Sequence, residues 1–161
     1  MHTPVACMAL IRTVLAYAAH YDMELHQVDV KSTYLNGEFE EKEVIHMHLP
    51  PGLTFTNNSQ LTFWLLCPLY GLCQSGQYWY HKLLKILQET LGMQTCNVDQ
   101  AVFYCIQDDS LIVTVVHIDD LTITTTSTKL MMIVKAALTK HVQLTKGREL
   151  HWVLGIKVEH N

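Results

Sequence analysis

At 161 residues the chain is long enough for one domain with a real core and short for two. Charged residues make up 16% against 49% hydrophobic, a balance that implies a compact domain with faces meant for neighbours. A formal net charge of −4, from 11 Lys plus Arg and 15 Asp plus Glu, argues against a self-sufficient nucleic-acid binder with a basic stripe. Arg12, Asp22 and Glu24 interrupt the first apolar stretch before it reaches membrane-span length. It has no basic start or cleavage site of a signal peptide, so an intracellular chain is expected. The five cysteines form no C-x-x-C pair and are odd in number, which fits free thiols in a reducing compartment better than a disulfide framework. The ten histidines are scattered without metal-ligand spacing.

In chain order, residues 4 to 20 carry helical apolar spacing through Val5, Met8, Leu15 and Ala18, with Thr3 as cap and Pro4 in the first turn. A strand is predicted from about 24 to 30, then an acidic turn at Asn36-Gly37. Residues 43 to 49 read as a strand stopped by Pro50-Pro51-Gly52, and 57 to 60 as a turn before a short strand at 61 to 66. A helix over 77 to 91 ends at Gly92. From 101 the pattern is strand, turn at 108 to 110, strand, Asp119-Asp120 corner and short strand. A helix at 128 to 140 and a last strand in "LHWVLGIKV" close the chain. This order of strands and helices predicts an α+β domain, its helices packed on one face of a largely antiparallel sheet.

The stretch "VVHIDDLTIT", residues 115 to 124, places Asp119 and Asp120 between apolar strands. Such a pair is ordinary turn chemistry, or it holds a metal ion. Asp29 ends an apparent strand between Val28 and Val30, where a carboxylate is costly to bury unpaired; an exposed strand end or a pair with Lys31 would also account for it. Brought together, three carboxylates repel one another unless a divalent cation neutralises them. Hard oxygens with room for water and phosphate describe a Mg²⁺ site, and two such ions can activate a 3′-hydroxyl and stabilise a departing pyrophosphate.

The blocks "HQVDVKSTYLNGEFEEKEVIHMHLPPGL", "LYGLCQSGQYWYHKLLKIL", "VDQAVFY", "VVHIDDLTIT" and "ELHWVLGIKVE" stand in the order found in copia-type reverse transcriptases, and the chain resembles that family over nearly its whole length. The resemblance implies a polymerase palm with part of the fingers, spanning residues 1 to 161. It also implies RNA-directed DNA polymerisation by two-metal nucleotidyl transfer. Asp29, Asp119 and Asp120 fall on the catalytic aspartates. Asp29, the Val30 carbonyl, Asp119 and Asp120 would hold two Mg²⁺ ions, with Mn²⁺ as an alternative. Tyr34 falls on the aromatic gate against a ribose 2′-hydroxyl. Val30, Tyr34, Tyr70 and Gly71 would border the incoming nucleotide. His117 would lie beside the primer end, and Trp152, Val153, Leu154 and Gly155 would form the primer grip. The implied partners are an RNA or DNA primer-template, deoxynucleoside triphosphates, and the integrase and RNase H domains of a polyprotein, with cytoplasmic virus-like particles as the family's setting.

The sequence also departs from that family. His117 stands where tyrosine is usual, and Cys73 and Gln77 replace two basic residues. The resemblance would put a basic finger strand before Met1 and a thumb and RNase H domain after residue 161, so a fingers-and-palm fragment of a polyprotein is expected. The departures imply a truncated or degenerate copy, inactive alone. A silent remnant and a recruited protein-interaction domain are the alternatives.

Overall fold

The computed structural model describes residues 4–41, 43–52, 62–107, 109–145 and 148–159. Helix α1 (Met8–His20) reverses through Asp22, at φ 50°, into β1 (Glu24–Asp29). A 3-10 turn, Thr33–Asn36, follows, then β2 (His46–His48) and β3 (Thr62–Trp64), which among the described residues form a two-stranded sheet of their own. Helix α2 (Ser75–Lys85) widens into one π turn at Ile86–Thr90. Strands β4 (Gln94–Thr95), β5 (Val102–Gln107), β6 (Ser110–His117) and β7 (Asp120–Thr125) come next. They are followed by α3 (Thr128–His141), β8 (Arg148–Glu149), β9 (Trp152–Val153) and β10 (Ile156–Lys157). The main sheet runs β4-β5-β6-β7-β1-β8, antiparallel at every described pairing. The expected α+β class is the one observed.

Alternation decides how the sheet is sandwiched. Val28, Val116, Leu121 and Ile123 share one face through the pairs Val28↔Leu121 and Val116↔Leu121, and all are essentially buried. Helices α2 and α3 cover that face. Tyr80 of α2 stacks near Phe103 at 6.4 Å between ring centroids, and Lys135 of α3 reaches His26. Each fully buried Leu or Ile there contributes about 1.5–3 kcal/mol. The opposite face, carrying Gln27, Val115, Asp120 and Thr122, lies under Ile11, Val14 and Leu15 of α1, so the helices cover both faces and not one as expected.

Two local expectations are corrected. Helix α1 starts at Met8, because tertiary hydrogen bonds from Ala6 and Cys7 keep the preceding residues extended; Cys7 has φ −72° and ψ 146°. Pro4 therefore precedes the helix, and Thr3 lies outside the described residues. The last predicted strand is a tight hairpin instead. Leu154 and Gly155 both adopt positive φ, 45° and 82°, as a two-residue turn between twisted strands demands. The expected turn at Asn36-Gly37 is present, the Gly37 amide donating to the Tyr34 carbonyl at 3.0 Å, and Gly37 is also needed for space, since a Cβ there would meet Tyr78 Cβ and Pro68 Cγ at 3.0 Å. The turn expected at 57 to 60 lies outside the described residues, as does Asp108.

Candidate active site at the aspartate corner

Strands β6 and β7 are joined by two residues, Ile118 and Asp119, between the paired His117 and Asp120. Ile118 has φ 56° at the first turn position, a conformation that normally calls for glycine and strains a β-branched residue. Its carbonyl accepts the Trp79 indole N–H at 3.1 Å, which ties the turn to α2. Neighbouring β1 then brings Asp29 directly opposite Asp120. The Val30 amide donates to the Asp119 carbonyl at 3.0 Å, so the two acidic segments are locked backbone to backbone. On the far side, Thr145 donates both its amide (2.9 Å) and its hydroxyl (3.1 Å) to the Asp29 carbonyl.

The three carboxylates have different surroundings. Burial raises the Asp119 carboxyl above its ordinary range; the nearby Thr33 hydroxyl opposes this, and the charges of Asp29 and Asp120 add to it. Thr33 is fully buried and spends its single proton on the Val30 carbonyl at 2.8 Å. Asp119 Oδ1 is accordingly buried with no hydrogen-bond partner. Asp120 is better served, because Gln27 Nε2 donates to its Oδ1 at 3.0 Å. Gln27 and Asp29 are two apart on β1 and so face the same way.

His117, opposite Asp120, also has a buried ring nitrogen, Nδ1, without a partner. His117, Asp120, Val153 and Leu154 line one small cavity of about 20 Å³, so the β9–β10 turn stands beside the aspartate corner. Trp152 is exposed on this hairpin, and Gly155 completes its turn. Tyr34 and Tyr70 come together, their ring centroids 4.7 Å apart and tilted by 47°. Gly71 follows at φ 92°, exposed at the surface. Gln27, Thr33, Trp79 and Thr145 complete the corner without having been read as site residues. Only Gln27 left a signal, its same-face spacing from Asp29.

A cation would meet one buried carboxylate oxygen that lacks any donor, beside a second carboxylate strand and the Val30 carbonyl. That donor set is hard oxygen throughout and suits a divalent ion. Among the described residues no group of three or more His, Cys, Asp or Glu side chains is gathered closely enough to hold a metal. Water and phosphate would have to complete the shell.

An antiparallel sheet with an acidic hairpin corner, helices packed on it and an aromatic pair alongside defines a mixed α+β domain. The family described as reverse transcriptase (RNA-dependent DNA polymerase) matches residues 1–161, and the chain belongs to that family. Membership carries a general divalent-metal requirement. The chain is 29% identical over 97% of its length to the Retrovirus-related Pol polyprotein from transposon TNT 1-94 of Nicotiana tabacum, covering 12% of that protein. It is 29% identical over 98% of its length to the corresponding polyprotein from transposon RE2 of Arabidopsis thaliana, covering 11%. For transposon RE1 of the same plant the identity is 28% over 98% of the chain, covering 10%. The chain thus spans about a tenth of these relatives. No solved structure matches it. The resemblance read from the ordered blocks is borne out. All five cysteines are unpaired, and no helix among the described residues is long and apolar enough to cross a membrane.

Proposed function

We propose that this reverse transcriptase domain performs RNA-directed DNA synthesis within a transposon Pol polyprotein. Asp29 and Asp119 are its metal ligands and Asp120 their support. The observation that carries this reading is the buried, partnerless Asp119 Oδ1 at a corner whose neighbouring strand presents Asp29. Mg²⁺ bound there would supply activation of a primer 3′-hydroxyl and stabilisation of the leaving pyrophosphate. The chain's own residues do the rest. Gln27 fixes one oxygen of Asp120, which leaves Asp119 and Asp29 as the freer carboxylates. The Val30 carbonyl has a second lone pair beyond the one Thr33 uses. Tyr34, backed by the Tyr70 ring, forms a wall that a 2′-hydroxyl would strike, and Gly71 leaves the backbone beside it open. The β9–β10 turn (Trp152, Val153, Leu154 and Gly155) and His117 flank the place for a primer end.

The partners are a primer-template, deoxynucleoside triphosphates and the remaining polyprotein domains, including integrase and RNase H. The free thiols fit a reducing, intracellular setting. The loss of basic residues at Cys73 and Gln77 favours a second reading, a catalytically silent copy that keeps the fold.

The test is metal binding by the 161-residue chain. Mn²⁺ or Mg²⁺ is expected to raise Tm in a saturable way, by mass action on the folded state. Asp29→Asn and Asp119→Asn should each abolish the rise, and Glu89→Gln should leave it intact. A metal effect indifferent to both aspartates would defeat the reading. A metal effect that depends on them, without primer extension by the longer polyprotein, would select the silent copy.

A further inference from the structure

Strand β6 outruns its neighbour β5. The last pair between them is Val102↔Val115, so Val116 and His117 overhang on that side while β7 still pairs them on the other. Yet the overhanging backbone of Val116 is fully bonded. Its amide donates to the Ala101 carbonyl at 2.8 Å, and its carbonyl accepts from the Ala6 amide at 3.3 Å. Neither partner belongs to a strand, and both alanines are buried.

What holds these two partners is a single carboxylate. Asp99 Oδ1 accepts the Ala101 amide at 2.9 Å, and Oδ2 accepts the Cys7 amide at 3.0 Å, across 92 residues of sequence. Cys7 is the N-cap residue of α1, so Asp99 takes the N-cap amide as the acidic side chain of a capping box does, and a negative charge at a helix start is favoured. The adjacent Gln100 carbonyl accepts the Tyr80 hydroxyl at 2.9 Å, which fixes the same loop to α2.

We propose that Asp99 is a positioning residue for the acidic hairpin. By clamping the start of α1 to the start of β5, it holds Ala6 and Ala101 against Val116, and so fixes the side of β6 that no strand covers. Three residues beyond Val116 lies Asp119. The proposal rests on the reading of Asp119 as a metal ligand, and it adds a residue whose side chain is directed elsewhere. A generic loop staple would instead stabilise the whole domain without preference for the hairpin.

The experiment is amide hydrogen exchange followed by NMR on the 161-residue chain, with Asp99→Ala, Asp99→Asn and the control Asp109→Asn. Losing a charge-assisted hydrogen bond should speed exchange at Val116 by roughly ten-fold or more in Asp99→Ala. Asp99→Asn keeps one acceptor oxygen and should fall between Asp99→Ala and the wild type. Ile112 and Ile123, within the ladders, should hardly change. Mn²⁺ broadening of the Asp119 and Asp120 amides should need several-fold more metal in the same order of variants. Uniform acceleration across the sheet, or none at Val116, would overturn the proposal. If Asp99→Ala does not fold, the contrast between Val116 and Ile123 in Asp99→Asn decides. A wild-type chain whose Asp119 amide ignores Mn²⁺ counts against the metal reading alone, and the exchange ordering still decides the role of Asp99.

Discussion

Ile118 shows how much one residue can carry at the corner. An L-residue with positive φ loses roughly 1–2 kcal/mol, and β-branching makes the position worse. Glycine there would forgo that penalty and give back about 0.5–1 kcal/mol in chain entropy. Ile118 is 37% exposed, so its burial is incomplete and offsets only part of the strain. Ile118→Gly should therefore raise stability by about 0.5–1 kcal/mol, or a Tm gain of roughly 1–4 °C for a chain of this size. Ile118→Val, equally branched, should gain nothing. Thermal melts followed by circular dichroism would check the pair, and a glycine variant melting at or below wild type would show that the lost side-chain contacts outweigh the relieved strain. If the gain comes with weaker metal binding, the strain serves to aim Asp119.

Between elements, the contact of β1 with α3 is the most sensitive to pH. Lys135 Nζ lies 2.7 Å from His26 Nδ1, and His26 Nε2 lies 3.4 Å from Glu24, whose carboxylate also accepts the Thr128 hydroxyl. Glu149 of β8 pairs with His26 in register. Burial lowers the His26 pKa, the Lys135 charge lowers it further, and Glu24 and Glu149 oppose the shift. Burial likewise lowers the Lys135 pKa against the pull of Glu24. The sign follows from proton counting. An unfolded histidine binds its proton near 6.5 while the folded one resists, so this contribution to stability is present above that pH and fades as pH falls below it. His26→Gln should flatten the acid side of the stability curve between about pH 6.5 and 5, by no more than about 1 kcal/mol after screening. Urea melts of both proteins at pH 7.5 and 5.5 would show it. An equal loss in the two would place the acid sensitivity elsewhere.

Element boundaries also show where sequence was sufficient. Strands β1, β6 and β7 were legible because period-two alternation and a buried face dictate them locally, and the Asp119-Asp120 corner followed. Strands β4 and β8, two residues each, carry no periodicity of their own and exist only because an edge of the sheet accepts them. The early start expected for α1 failed because Asp99, far along the chain, binds the Cys7 amide. The reach of Gln27 to Asp120 crosses strands and has no local signature beyond its spacing from Asp29.

For the whole molecule, charge is the property that most opposes the proposed substrate. With 11 basic against 15 acidic residues, the chain repels a polyanion instead of steering it. Three of the acidic residues, Glu40, Glu41 and Glu43, surround an open hollow shared with Gln77. Positioning of primer and nucleotide can supply roughly 7–11 kcal/mol of a barrier, and it requires the strand to dwell in register. Primer extension by the 161-residue chain alone is accordingly expected to stay undetectable, even with its metal site formed. Placing cations at Cys73, which is exposed, and at Gln77 should offset part of this repulsion. In Cys73→Lys with Gln77→Arg, affinity for a primed RNA template should rise. The slope of log affinity against log salt should steepen by roughly 0.7–0.9 for each new phosphate contact. Met132→Lys, on the exposed back of α3 and 67% accessible, adds charge far from the corner and serves as the control. Titrations between about 50 and 200 mM salt distinguish the cases. If the control steepens the slope as much as the paired substitution does, the gain is diffuse attraction, and residues 73 and 77 do not border the path of the nucleic acid.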